Sequence, residues 1–146
     1  MSKDVTDTRF EDFTFLSTSE FELLINKIKE DYFKKFNKKI KLLDYWSQIH
    51  LPNQSTTLHD HLIRENMSTS PTFSGVYYLQ CDAKSGYFVF QHLTDDVTMS
   101  RWKIKPEVGK FIIFPSYIPH FVTRNYSKKN RISISFNFNI EGYARI

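Results

Sequence analysis

The feature that most constrains the fold is the pattern of residue types from residue 44 onward. Short runs rich in β-branched and aromatic residues alternate there with clusters of turn-forming residues. The pattern predicts eight strands, at residues 45–51, 56–62, 72–81, 87–92, 98–104, 110–114, 120–123 and 131–140. Many short strands at this spacing are typical of an all-β sandwich or barrel, and not of alternating β and α units.

Ahead of the strands, apolar residues recur at helical spacing, at Phe21, Leu24, Ile25, Ile28 and Tyr32. This spacing predicts one amphipathic helix over residues 19–37. The length of 146 residues fits one domain. We therefore expect a single domain over 1–146, with a lead-in and helix at 1–43 and a β-barrel core at 44–146.

Composition narrows the setting of the protein. Cys81 is the one cysteine of the chain, which excludes an internal disulfide and favours a cytoplasmic location. No apolar stretch approaches the roughly 18 residues of a membrane span, so no membrane association is expected. The net charge of +4 owes much to lysines between residues 27 and 41, on the predicted helix and just after it, which we interpret as a solvated surface.

Histidines offer the first chemical signal. His59 and His61 flank Asp60 on a predicted strand, where side chains two residues apart point to the same face. Their imidazoles can converge on one metal, and imidazole suits iron, zinc, copper and nickel. Two surface histidines on a polar strand would give the same pattern. His120 is a third candidate, because it follows an apolar strand and a loop stiffened by two prolines.

The strand predicted at 131–140 carries a second signal. Its apolar residues alternate with small or polar residues, so one of its faces is polar. Arg131 opens that face, and Ser133 follows two residues later on the same side. A guanidinium donates hydrogen bonds in pairs and is suited to a carboxylate. A solvent-exposed arginine at a strand end is the alternative interpretation.

Four phrases in order, over about residues 44–140, carry a family resemblance. They are His59-Asp60-His61, Ser74-Gly75-Val76-Tyr77-Tyr78-Leu79, the stretch 109–120 that ends at His120, and Arg131-Ile132-Ser133-Ile134-Ser135-Phe136-Asn137. With these phrases the chain resembles the 2-oxoglutarate-dependent Fe(II) oxygenases, and more narrowly their small bacterial and phage group. The resemblance implies a mainly β fold, a double-stranded β-helix (a jelly-roll, cupin-like barrel) preceded by the amphipathic helix.

The resemblance also implies roles for single residues. His59, His61 and His120 would be the catalytic metal ligands for Fe(II). Arg131 and Ser133 would hold the far carboxylate of the cosubstrate 2-oxoglutarate, with Tyr77 as a further contact. With O2, such an enzyme hydroxylates a substrate, here a small molecule, a protein side chain or a nucleobase.

One position departs from the pattern of the wider superfamily. His61 stands where that pattern has a carboxylate. The site is therefore either a three-histidine site or one that recruits Asp60 or Glu65 through a bulge, unless catalysis has been lost.

Two other functions remain open from the sequence. A cupin-like metal protein would use three histidines without 2-oxoglutarate, and would not need Arg131 and Ser133. A non-catalytic jelly-roll binding module would bind no metal at all. Exposed edge strands would also allow a homodimer.

Overall fold

The computed structural model describes residues 6–7, 19–95 and 97–142. One helix, α1 (Ser19–Phe36), precedes most of the strands, and a short 3-10 helix spans Met67–Thr69. The strands are β1 (Thr6–Asp7), β2 (Ile40–His50), β3 (Thr56–His59), β4 (Phe73–Gln80), β5 (Phe88–Leu93), β6 (Met99–Ile104), β7 (Phe111–Pro115), β8 (His120–Val122) and β9 (Arg131–Ile140). The predictions of one N-terminal helix and eight strands after it are confirmed. The apolar cluster at 13–16 in the predicted lead-in lies outside the described residues.

The strands form two antiparallel sheets. The first has the order β1-β2-β9-β4-β7, and the second has the order β3-β8-β5-β6. In the first sheet β9 lies between β2 and β4, so its ladder is satisfied on both sides. Two strand boundaries differ from prediction by more than one residue: β2 begins at Ile40 rather than at residue 45, and β3 ends at His59 rather than at residue 62.

The two faces of β9 pack against different partners. Ile134, Phe136 and Phe138 are buried together with Ile25 and other apolar residues of α1. The apolar face of α1 therefore packs on the apolar face of β9, and this contact removes both faces from water. The opposite face of β9 carries buried polar residues, namely Arg131, Ser133, Ser135 and Asn137.

A second apolar cluster joins the two sheets. Val76 and Phe114 of the first sheet pack with Phe88, Phe90 and Val122 of the second sheet. Because Val76 and Tyr78 share a face of β4 with Ser74, the polar face of β9 also faces the space between the sheets. The fold thus places polar side chains beside an aromatic core.

Helix α1 ends where a left-handed residue can stop it. Asn37 has a φ of 53°, and its backbone N–H donates to the carbonyl of Phe33 at 2.8 Å. Asparagine tolerates this conformation and is a common residue after a helix. Within the described part of the chain, no helix is both long and apolar enough to span a bilayer.

Candidate metal centre

Three histidines meet at one end of the second sheet. His59 ends β3, His120 begins β8, and the two residues pair directly in the antiparallel ladder. Their ring centroids lie 4.3 Å apart, and the ring of His61 lies 5.5 Å from that of His59 and 4.9 Å from that of His120. One ligand nitrogen from each histidine lies within 4.8 Å of the others. These distances allow the three imidazoles to bind one metal ion.

His61 reaches this position from a loop. Its backbone N–H donates to the carbonyl of Ser116 at 2.9 Å, so its backbone no longer pairs with β8. The prediction that the strand continues to residue 62 is wrong for this reason. The rings of His59 and His61 are nevertheless nearly parallel, at 14°, so both still face the same space.

Hydrogen bonds orient all three rings in the same way. The Nδ1 atom of His59 lies 2.7 Å from the carbonyl oxygen of Thr57, and that of His120 lies 3.0 Å from the carbonyl oxygen of Ile118. The Nδ1 atom of His61 lies 2.8 Å from Oδ1 of Asn137. A ring that donates from Nδ1 to an oxygen keeps its lone pair on Nε2, which is the form that binds metals.

His120 lies deepest of the three histidines. It is 3% exposed, and its ring stacks on that of Phe88 with centroids 5.1 Å apart. Burial, followed by the neighbouring His59, lowers the pKa of His120 to about 3. The imidazole is therefore neutral at physiological pH, as metal binding requires.

The neighbouring carboxylates are directed elsewhere. Asp60 accepts hydrogen bonds from Arg64 with both oxygens, at 2.9 and 2.6 Å, and a third from the backbone N–H of Leu62. The bond from Arg64 holds the pKa of the Asp60 carboxyl below its usual range. Glu65 is exposed. Among the described residues, the histidine cluster includes no carboxylate.

Arg131 is buried at the other end of the polar face of β9. It is 1% exposed, and its Nη2 donates to the hydroxyl of Tyr78 at 3.2 Å. Its Nε and Nη1 atoms have no hydrogen-bond partner among the residues described. A buried guanidinium with unused donors is costly unless an anion completes it. Ser133, also 1% exposed, is the next residue on the same face.

The structure does not bring Tyr77 to this group, and this corrects the sequence assignment. Tyr77 pairs with Ile134 in the ladder and packs with the cluster under α1, on the opposite face of the sheet. Tyr78 pairs with Ser133, and its ring lies under the guanidinium of Arg131 at 5.0 Å. The physical reason is the alternation of β4, which turns one of two adjacent tyrosines to each face.

Sequence reasoning assigned no role to two residues that contact His61. Asn137 accepts the hydrogen bond from its ring, and the hydroxyl of Ser74 lies 2.7 Å from the same Nδ1 atom. Ser74 also donates to Oδ1 of Asn137 at 2.7 Å. The alternation of side chains along β9 was a signal for Asn137, because it places this residue on the same face as Arg131 and Ser133.

A cleft of about 410 Å³ opens beside the histidines. His59, His61 and Asn137 line it, together with residues of β2 and of the loop after β3, namely Leu43, Asp44, Asp60, Leu62, Ile63, Thr69 and Pro71. We call it the histidine cleft. A small molecule or an extended side chain fits a space of this size.

Comparison with known proteins identifies the family of this chain. A family model described as "Putative 2OG-Fe(II) oxygenase" matches residues 44–137, which include all three histidines, Arg131 and Ser133. The chain belongs to this family. The resemblance inferred from the four sequence phrases is therefore confirmed. No curated protein matches the sequence.

Solved structures of 2OG-Fe(II) oxygenases share the fold of this family member. An oxidoreductase of that family from Burkholderia pseudomallei aligns with a TM-score of 0.63 at 16% identity, over 81% of this chain and 57% of its own. A viral collagen prolyl hydroxylase from Paramecium Bursaria Chlorella virus-1, solved with 2OG, aligns at 0.64 and 17% identity, over 94% and 79%. HygX from Streptomyces hygroscopicus, solved with nickel and 2-oxoglutarate, aligns at 0.61 and 12% identity, over 88% and 70%. This chain thus spans less than two thirds of the length of the Burkholderia protein.

Proposed function

We propose that this protein is an Fe(II)- and 2-oxoglutarate-dependent dioxygenase that hydroxylates a substrate entering through the histidine cleft. One observation carries the proposal. The buried guanidinium of Arg131, with two unused donors, lies on the same face of β9 as Asn137, which binds His61. An anion site and a metal site are therefore joined by one polar strand face.

In this proposal His59, His61 and His120 bind the iron through Nε2. The donor set fits, since all three Nδ1 atoms are held by oxygen acceptors and no carboxylate approaches within the described cluster. We take the site to be a three-histidine site. Bound iron, with its cosubstrate and O2, would supply the oxidative chemistry. Three neutral ligands leave the metal's positive charge to be balanced by an anionic cosubstrate.

The cosubstrate anchor in this proposal is Arg131. Its free Nε–H and Nη1–H would hold the far carboxylate of 2-oxoglutarate, and Ser133 would add a hydroxyl. Tyr78 contacts Arg131 and takes the position first assigned to Tyr77. Phe88 and Phe114 pack on His120 and would keep water from the metal.

The finer architecture belongs to the same proposal. We take the two sheets to be the halves of a double-stranded β-helix, with the metal at its open end. The substrate would be a small molecule, a protein side chain or a nucleobase. Two of the structural neighbours are named as prolyl hydroxylases, which supports a protein side chain among these classes.

The test is an anaerobic titration of the iron-loaded protein with 2-oxoglutarate. Chelation of the metal by the 2-oxo acid produces a weak visible absorption band. We expect this band in the wild type and its loss in His120→Ala and Arg131→Ala. Arg124→Ala and His92→Ala are matched controls, because both of these side chains are exposed.

Each other outcome favours a different function. Iron binding without the band would contradict the use of 2-oxoglutarate and favour a cupin-like metal protein. No iron binding at all would overturn the enzyme and favour a non-catalytic binding module.

A further inference from the structure

A second buried histidine lies directly opposite Arg131. His50 ends β2 and pairs with Arg131 in the antiparallel ladder, and each residue is 1% exposed. The Nδ1 atom of His50 has no hydrogen-bond partner in the described part of the chain, like Nε and Nη1 of Arg131. A buried polar group without a hydrogen-bond partner destabilises the fold. Three such atoms at one place indicate a ligand that completes them.

The other ring nitrogen of His50 is already engaged. Its Nε2 lies 2.7 Å from the hydroxyl oxygen of Thr56. When the hydroxyl donates to Nε2, the ring hydrogen is on Nδ1, which then becomes a free donor. Burial, followed by the charge of Arg131, lowers the pKa of His50 to about 3, so the ring is neutral. A neutral donor beside one cation suits a carboxylate.

The loops behind His50 are bonded to each other. The backbone N–H of Asn53 donates to the carbonyl of Asn125, and that of Asn125 donates to the carbonyl of Gln54. The side chain of Asn125, which is fully buried, donates to the carbonyls of His50 and Lys129. These bonds fix the position of the end of β2. Ser133 and Ser135 continue the same face of β9 towards Asn137 and the histidine cluster.

We propose that His50 is a cosubstrate-binding residue, whose Nδ1–H joins the free donors of Arg131 in holding the far carboxylate of a 2-oxo dicarboxylic acid. The inference rests on the proposed function. Arg131 supplies the charge, and His50 supplies a directed donor from the neighbouring strand. Thr56 is a positioning residue, because its hydroxyl selects the tautomer of His50. Together they make the far carboxylate a requirement for tight binding.

The experiment measures dissociation constants by calorimetry on the full chain loaded with Ni(II). The two probes are 2-oxoglutarate and 2-oxopentanoate, which has the same carbon chain without the far carboxylate. His50→Gln keeps a polar group at the position of Nε2 but removes the donor at Nδ1. His50→Asn places an amide nitrogen near the position of Nδ1. His92→Gln is the matched control, because His92 is exposed.

We expect His50→Gln to weaken 2-oxoglutarate binding about tenfold or more, as the loss of a hydrogen bond to a charged group does. Binding of 2-oxopentanoate should stay within about threefold, which is the scatter of unrelated changes. His50→Asn and His92→Gln should bind both probes within about threefold of the wild type. Thr56→Val keeps the imidazole of His50 and should weaken the binding of 2-oxoglutarate but not of 2-oxopentanoate. This variant provides the test if His50→Gln does not fold.

Three results would overturn the inference. If His50→Gln and Thr56→Val both bind 2-oxoglutarate like the wild type, His50 is a structural residue and the proposed function stands. The same conclusion follows if His50→Gln loses affinity for both probes equally. A wild type that binds neither probe would overturn the proposed function and this inference together.

Discussion

At the scale of residues, the orientation of the three imidazoles is set by groups outside the cluster. Two of the acceptors, at Thr57 and Ile118, are backbone carbonyls that no side-chain substitution removes. The third acceptor is the side chain of Asn137, to which Ser74 also donates. Of the three histidines, His61 is therefore the one whose position depends on side chains of the first sheet. Its orientation is the one that mutation can change.

Asn137→Ala should lower the affinity for Fe(II) about 10- to 100-fold, because loss of an outer hydrogen bond frees the ring of His61. An anaerobic competition with a chromogenic chelator measures this affinity. The matched control is Asn139→Ala, two residues along the same face, where the amide oxygen bonds Thr72 and no histidine. Equal affinities in the two variants would show that Asn137 does not position His61.

The residues that sequence reasoning identified were those with a distinctive chemistry. The histidines, Arg131 and Ser133 could be chosen from residue type, spacing and the four phrases. Alternation along β9 could place Asn137 on the polar face, but its bond to His61 depends on the tertiary fold. Tyr78 could not be chosen, because the face that each of the two adjacent tyrosines takes depends on the register of β4. His50 could not be chosen either, since only the pairing of β2 with β9 places it opposite Arg131.

At the scale of elements, the strand pattern was predictable because turn clusters mark the ends of most strands. One exception is the end of β3, where no cluster of turn residues accompanies His59. A tertiary bond from His61 to Ser116 ends the strand there, and a sequence carries no local sign of such a bond. The helix was predictable because the face that packs on β9 needs apolar residues, and these recur at helical spacing in the sequence.

Gly75 shows how closely β4 and β7 approach one another. A Cβ atom at this position would lie 2.6 Å from Cζ of Phe111 and 3.0 Å from the carbonyl oxygen of Ile112. Gly75→Ala should therefore lower the free energy of unfolding by about 1–3 kcal/mol, the usual range for overpacking. Urea denaturation measures the change. Adding Phe111→Leu should recover part of the loss, and a Gly75→Ala variant as stable as the wild type would contradict the packing.

At the scale of the whole molecule, the fold buries basic groups in an aromatic and polar interior. His50 and His120 are both buried as neutral imidazoles, with pKa values of about 3. The unfolded chain binds protons at the ordinary histidine pKa near 6.5, so it takes up protons where the folded chain does not. Folding stability from these groups is complete above pH 6.5 and is lost as the pH falls towards 3.

Acid should therefore destabilise the metal-free protein, and His50 should account for a measurable part of the lost folding stability. Each such group contributes at most about 1.4 kcal/mol per pH unit within this window. His50→Asn, which does not titrate, should lose less stability than the wild type between about pH 6.5 and pH 4.5. Chemical denaturation at the two pH values measures the difference. Parallel losses in both proteins would show that His50 does not titrate on unfolding.

The pairing of β2 with β9 has a consequence for how the chain folds during synthesis. Ile40 pairs with Ile140 and His50 pairs with Arg131, so the ladder joins segments that leave the ribosome far apart in time. At 5–20 residues per second, β2 waits several seconds for its neighbour. Throughout that interval the edge of β2 is open to wrong partners, because Arg131, which pairs with His50, and Asn137, which bonds His61, have not yet been synthesised. The nascent chain therefore exposes a long unpaired strand edge for several seconds, which is a condition that favours misassociation and binding by chaperones.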